Sequence, residues 1–153
     1  MTLQHIIVYV LAAMVLSTTI IYFVLASNEY TSLVEFAAEG LDGEISELQI
    51  EIALFAGSGI IYLGLLGWIL VKKLKSIIPY SILIAISTIL IIIYAASRTI
   101  GVPIIGIEFY VGKYDMLTKV LQGIIIAISG YLIYRIITIN KSITQEETPK
   151  TET

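Results

Sequence analysis

At 153 residues, 58% hydrophobic and only 14% charged, with a mean hydropathy of +0.94, the chain is too apolar for a soluble domain of its size. A soluble globular enzyme, a disordered chain and a disulfide-stapled secreted scaffold are disfavoured on that ground, which leaves an integral membrane protein. The absence of cysteine removes disulfides, thiolate nucleophiles, iron–sulfur clusters and Cys-based zinc sites, and the single histidine, His5, removes a bis-His haem or multi-His metal centre within the chain.

A hydrocarbon core about 30 Å thick takes roughly 20 apolar helical residues to cross. Four stretches meet that length: about 5–27, 50–71, 77–97 and 116–137. They predict an all-α polytopic membrane protein, a four-transmembrane-helix bundle with short loops and a short amphipathic segment after helix 1. The alternating strands of a membrane barrel are absent from the sequence. Val24-Leu25-Ala26 would pass as a cleavage site for a signal peptide. The apolar stretch before it is longer than a signal core and no basic residue precedes it, so an uncleaved helix is the favoured reading.

The net charge of −3 is modest, but its distribution orients the bundle. Lys72, Lys73 and Lys75 lie between helices 2 and 3, and Arg135, Lys141 and Lys150 lie on the C-terminal side. Arg98, Lys113 and Lys119 sit on the other side, among most of the acids. The positive-inside rule then puts both termini in the cytoplasm, in a multi-pass protein of the cell membrane. Residues 1–139 form the predicted transmembrane domain, and 140–153 a polar tail expected to be disordered and cytoplasmic.

The first outer connection holds seven carboxylates, Glu29, Glu35, Glu39, Asp42, Glu44, Glu47 and Glu51, and no basic residue. Tyr30, Val34, Ala37, Leu41, Ile45, Leu48 and Ile52 run through it at helical spacing, interrupted near Gly40 and Gly43. Two short amphipathic pieces are expected, one lying at the interface and one leading into helix 2. Glu44, Glu47 and Glu51 share a helical face. Hard cations favour such oxygen clusters, although a solvated face pairing with Arg98 or Lys119 is the favoured reading. Glu51 lies deepest and needs a partner.

The second outer connection is the most patterned stretch, running Arg98-Thr99-Ile100-Gly101-Val102-Pro103 and on to Gly106, Glu108, Gly112 and Asp115. Pro103 disfavours helix at Val102, and Gly101 permits backbone angles closed to other residues. Asp115 is the expected N-cap of helix 4, with Lys119 one turn on where an i,i+4 pair can form. Arg98, flanked by apolar sequence, must snorkel, bind lipid phosphate or pair with Glu51, Glu108 or Asp115. This R-T-x-G-x-P…G…E…G…D pattern resembles that of uncharacterised small four-helix integral membrane proteins of archaea and bacteria. The resemblance covers helices 3 and 4 with their loop and implies a shared fold and a structured outer loop, with no known activity. Relatives in that group carry histidines in the first helix and first loop. Beyond His5 this chain has none, which argues against a metal-dependent role.

Ala53-xxx-Gly57 on helix 2 and Gly123-xxx-Ala127 on helix 4 are small-xxx-small pairs, expected to pack inside the bundle, with docking to a second membrane chain as the alternative. Gly57-Ser58-Gly59 follows no strand and lacks a phosphate-binding lysine, so it is no nucleotide loop. Ten tyrosines spread through spans and interfaces suggest an aromatic belt; Tyr62 and Tyr94 are expected to lie deep, and Gln122 to bond between helices. A tyrosine-lined cavity for a quinone-like or sterol-like ligand is a lesser reading. Nothing in the sequence points to a cofactor, a bound metal or nucleic acid. The partners expected are the lipid bilayer and a second membrane chain, a copy of itself or another subunit. The function expected is a non-catalytic accessory, assembly or scaffold subunit. A small transporter or ion-conducting oligomer is the alternative, and a membrane enzyme using the outer carboxylates with Arg98 is a third reading.

Overall fold

The computed structural model describes residues 3–40, 42–101 and 112–146. Among them are four helices, α1 (Leu3–Glu39), α2 (Asp42–Lys72), α3 (Ile78–Thr99) and α4 (Lys113–Glu146), each with a stretch long and apolar enough to cross a membrane. A single 3-10 turn, Lys73–Lys75, joins α2 to α3. The helices form an up-and-down bundle in which α1 packs most extensively on α2, α3 on α4, and α1 on α4, while the α2–α3 seam is the loosest of the four.

Each helix presents an inward stripe spaced by three and four residues, the spacing that keeps one face toward the neighbours. On α1 it reads Val8, Leu11, Ala12, Val15, Thr18, Thr19, Tyr22, Leu25, Ala26; on α2 it reads Ser58, Tyr62, Leu65, Leu66, Ile69. Tyr80, Leu83 and Ser87 continue it on α3, and Thr118, Gln122, Ile125, Ser129, Leu132 and Ile136 on α4. α1 supplies more of this core than any other helix, as an integral member of the bundle. Its buried Thr18 and Thr19 donate to the carbonyls of Met14 and Val15, both at 2.9 Å, which satisfies the hydroxyls without a second helix.

The helix ends follow their local chemistry. Pro79 sits in the first turn of α3, where it lacks only a donor that would have no intrahelical partner, and Ser76 Oγ accepts the Ile78 N–H at 3.3 Å. Tyr80 reaches back to donate to the Lys73 carbonyl at 2.6 Å, steadying a turn in which Lys73 takes the positive φ of 45°. At the other end of α3 the N–H groups of Ile100 and Gly101 both donate to the Ala96 carbonyl at 3.0 Å, with Gly101 at φ 78°, the left-handed geometry that a glycine adopts most easily.

The first outer connection differs from its expected form. No breaker stands between Ser27 and Glu39, so α1 runs on without interruption and turns only at Gly40, φ 75°. Residues 28–39 and the start of α2 make a helical hairpin beyond the apolar core, not a separate interfacial segment. At 1.5 Å per residue α1 is about 55 Å long against a hydrocarbon thickness of about 30 Å. Gly43 lies inside α2. The inward stripe of the span simply continues through Glu29, Leu33 and Phe36, so the expected stripe of Tyr30 and Val34 faces outward and is exposed. α4 likewise starts earlier than expected, at Lys113, and stays helical through Glu146; residues 147–153 of the tail lie outside the described residues.

Candidate functional site: a polar layer beneath an outer cavity

Continuing the four inward stripes to the end of the bundle that holds the Gly40 turn brings charged and hydroxyl groups together. The deepest of them form a layer that ties all four helices. Gln122 of α4 donates through Nε2 to Tyr22 Oη of α1 at 2.7 Å and to Tyr62 Oη of α2 at 3.2 Å. Tyr62 in turn bonds Ser87 Oγ of α3 at 2.7 Å. The Gln122 carbonyl oxygen accepts from Lys119 Nζ at 3.4 Å, which agrees with the amide orientation that points its NH2 at the tyrosines. Tyr62, Ser87 and Gln122 are 0% exposed and Tyr22 2%, so the layer is closed to solvent and lipid alike. Tyr22 also stacks on Tyr62 at 5.9 Å between centroids and tilts against Phe55 at 6.3 Å.

Above this layer lies a cavity of about 480 Å³. α1 contributes Tyr22, Leu25 and Glu29; α2 contributes Glu51, Leu54, Phe55 and Ser58. Its other wall includes Leu90, Ile93, Tyr94, Ser97 and Arg98 of α3, and Asp115, Thr118 and Lys119 of α4. Its cations, Arg98, Lys113 and Lys119, all lie on the α3–α4 wall together with Asp115, while the α1–α2 wall carries the carboxylates Glu29 and Glu51. Arg98 Nη2 meets Asp115 Oδ2 at 3.6 Å, and its guanidinium covers the Tyr94 ring at 5.0 Å. The Lys119 ammonium lies 5.0 Å from the same ring and 6.0 Å from that of Tyr22.

These positions decide the sequence-derived candidates. Arg98 and Asp115 are brought together as an ion pair, and Glu51 and Lys119 line the same cavity. Gly101 terminates α3, immediately beside the pair. Asp115 is not the N-cap: α4 begins at Lys113, so Asp115 falls in its first turn, where its charge still complements the helix dipole. Lys119, expected to pair with Asp115, has its ammonium on Gln122 and beside two rings, with Asp115 acting on it through space while the Asp115 carboxylate meets Arg98. Glu47 is half-buried on α2 outside the cavity lining, and of Glu44 only the helical backbone is described. Pro103, Gly106 and Glu108 lie outside the described residues. Among the described residues no three acids or histidines converge to hold a metal. Tyr94 lies half-buried under Arg98 near the helix end and not at depth, whereas Tyr62 is fully buried with the partners it requires.

The small residues are also placed otherwise than expected. A Cβ added at Gly57, Gly64, Gly67, Gly123 or Gly130 would meet no side chain and no other helix within 4 Å; among the described glycines of α2 and α4 Gly59 alone is packed, with Phe23 Cε1 3.1 Å away. The glycine faces of α2 and α4 therefore point out of the bundle.

Fold and site together define an all-α bundle of four helices long and apolar enough to span a membrane, with a polar layer and a charged cavity at the end that holds the Gly40 turn. No protein-family model matches the chain, and no curated protein or solved structure matches it either.

Proposed function

We propose that this chain is a non-catalytic integral protein of the cell membrane, an accessory or assembly subunit that docks on the transmembrane helices of another chain. The observation that carries this reading is the outward placement of the small residues. Ala53, Gly57, Gly64 and Gly67 follow one face of α2, with Ile60 between them 62% exposed, and Gly123, Ala127 and Gly130 follow one face of α4. Lipid supplies no hydrophobic drive between helices, so close backbone approach at small residues is what allows a second helix to bind. The bundle itself leaves both faces uncovered. Lys72, Lys73, Lys75 and Arg135 gather at the end opposite the acidic hairpin, which supports cytoplasmic termini.

A small transporter is the second reading, and the charged cavity is what favours it. The cavity lining stops at Tyr22 and Lys119, however, and beneath it the described core is a sealed hydrogen-bonded layer followed by packed Val15, Leu65, Leu83 and Ile125. A pocket with a closed floor binds; it does not conduct. The test is purification from native membranes in mild detergent. A stoichiometric membrane partner, lost on Gly64→Leu without loss of folded chain, supports the subunit reading. A chain that purifies alone and drives ion flux in liposomes overturns it.

A further inference from the structure

We propose that the outer cavity is a binding site for an amphiphile whose headgroup carries a phosphate or carboxylate, held at Lys119, with its apolar tail leaving between α2 and α3. The proposal goes beyond the subunit reading and does not rest on it.

Lys119 is the anchor. It lies two helical turns into α4, about 9 Å along the axis from Lys113, inside a membrane-spanning segment where an ammonium needs compensation. Its hydrogen-bond acceptor is a neutral amide oxygen at 3.4 Å, the long end of the range; two tyrosine rings lie beside it, and the Asp115 carboxylate, which meets Arg98, acts on it through space. Arg98 also lies 5.0 Å from the Tyr94 centroid, so both cations contact the same aromatic side chain. One carboxylate, Asp115, meets Arg98 there at 3.6 Å. An anionic oxygen group entering the cavity would accept a charge-assisted hydrogen bond from Lys119, with Arg98 lining the same cavity. Tyr22 supports the same site from the floor: its hydroxyl accepts from Gln122, so its own proton is available for donation.

The shape completes the class. A volume of about 480 Å³ suits a headgroup with its linker, within the range of about 300–1,000 Å³ usual for small-molecule sites. The way out is apolar. Leu54 on α2 and Ile93 on α3 line the cavity yet are 40% and 37% exposed, and they flank the loosest seam of the bundle. A tail threading that seam meets Leu54, Phe55, Leu90 and Ile93 and then the surrounding lipid.

The experiment uses the full chain in mild detergent, with three single-tailed probes: oleate, lysophosphatidic acid and uncharged monoolein. Binding is read by native mass spectrometry and by the shift in thermal midpoint. Retention of either anionic probe over monoolein is expected, and the arm that binds identifies carboxylate or phosphate as the head. Lys119→Met should weaken that binding about tenfold, as expected for loss of one charge-assisted contact, while Lys119→Arg retains it. Ile93→Trp, which fills the exit and leaves the charges in place, should weaken it independently and covers the case in which Lys119→Met fails to fold. Equal binding of monoolein and the anionic probes, or no effect of Lys119→Met in a folded protein, overturns the proposal.

Discussion

Gln122 is the residue on which the four helices converge, and its replacement by leucine tests the polar layer most cleanly. The leucine keeps most of the volume and the helix propensity while removing two donated bonds, to Tyr22 and Tyr62, and one accepted from Lys119. Hydrogen bonds between membrane helices average about 0.6 kcal/mol each, so three contribute about 2 kcal/mol. Tyr62 keeps Ser87, but Tyr22 is left with a buried hydroxyl lacking its partner, which adds up to about 1 kcal/mol. Better packing of leucine against Ile125 offsets part of this, leaving an expected loss of about 2 kcal/mol. Reversible unfolding in mixed micelles measures it directly. A double-mutant cycle with Tyr22→Phe should give a coupling of about 0.6–1.7 kcal/mol. A Gln122→Leu protein as stable as the parent within about 0.5 kcal/mol, with additive single changes, would refute the claim that this layer holds the bundle.

Other perturbations follow from the same geometry. Arg98→Ala removes the Asp115 pair and the Tyr94 contact, leaving a largely enclosed carboxylate, and should cost about 2 kcal/mol, read as a lower yield of folded protein from membranes. Gly101→Ala forces a side chain into a positive φ and should lower the unfolding free energy by about 1 kcal/mol. Tyr80→Phe deletes the 2.6 Å bond to the Lys73 carbonyl and should cost about 1 kcal/mol, with hydrogen exchange rising at Lys73–Lys75.

The four spans are legible in the sequence because each is an uninterrupted apolar run of membrane length. Their ends are less so. The segment after Ser27 reads as separate short amphipathic pieces, yet no breaker stands before Gly40 and α1 continues unbroken. That continuation puts Glu29 on the inward stripe begun by Tyr22 and Leu25, where composition alone suggests a solvated acid. Arg98 with Asp115 is foreseeable, since an arginine flanked by apolar residues requires an acid nearby. The place of Lys119 is not, because its spacing from Asp115 fits a pair, whereas its ammonium reaches the Gln122 amide oxygen and Arg98 meets the Asp115 carboxylate. Small-xxx-small spacing likewise shows that a helix can be approached closely; which face it lies on depends on bundle register, and here the glycines of α2 and α4 face out.

The central claim, that those faces receive another membrane chain, is tested most directly by purifying the tagged full-length protein from its own membranes in mild detergent and measuring the stoichiometry of what accompanies it. The account expects a fixed-ratio membrane partner that is retained by the parent and lost from Gly64→Leu, with the bundle's thermal midpoint not lowered because no side chain and no other helix lies within 4 Å of the added Cβ. A solitary monomer, or a partner held equally well by both proteins, would contradict it.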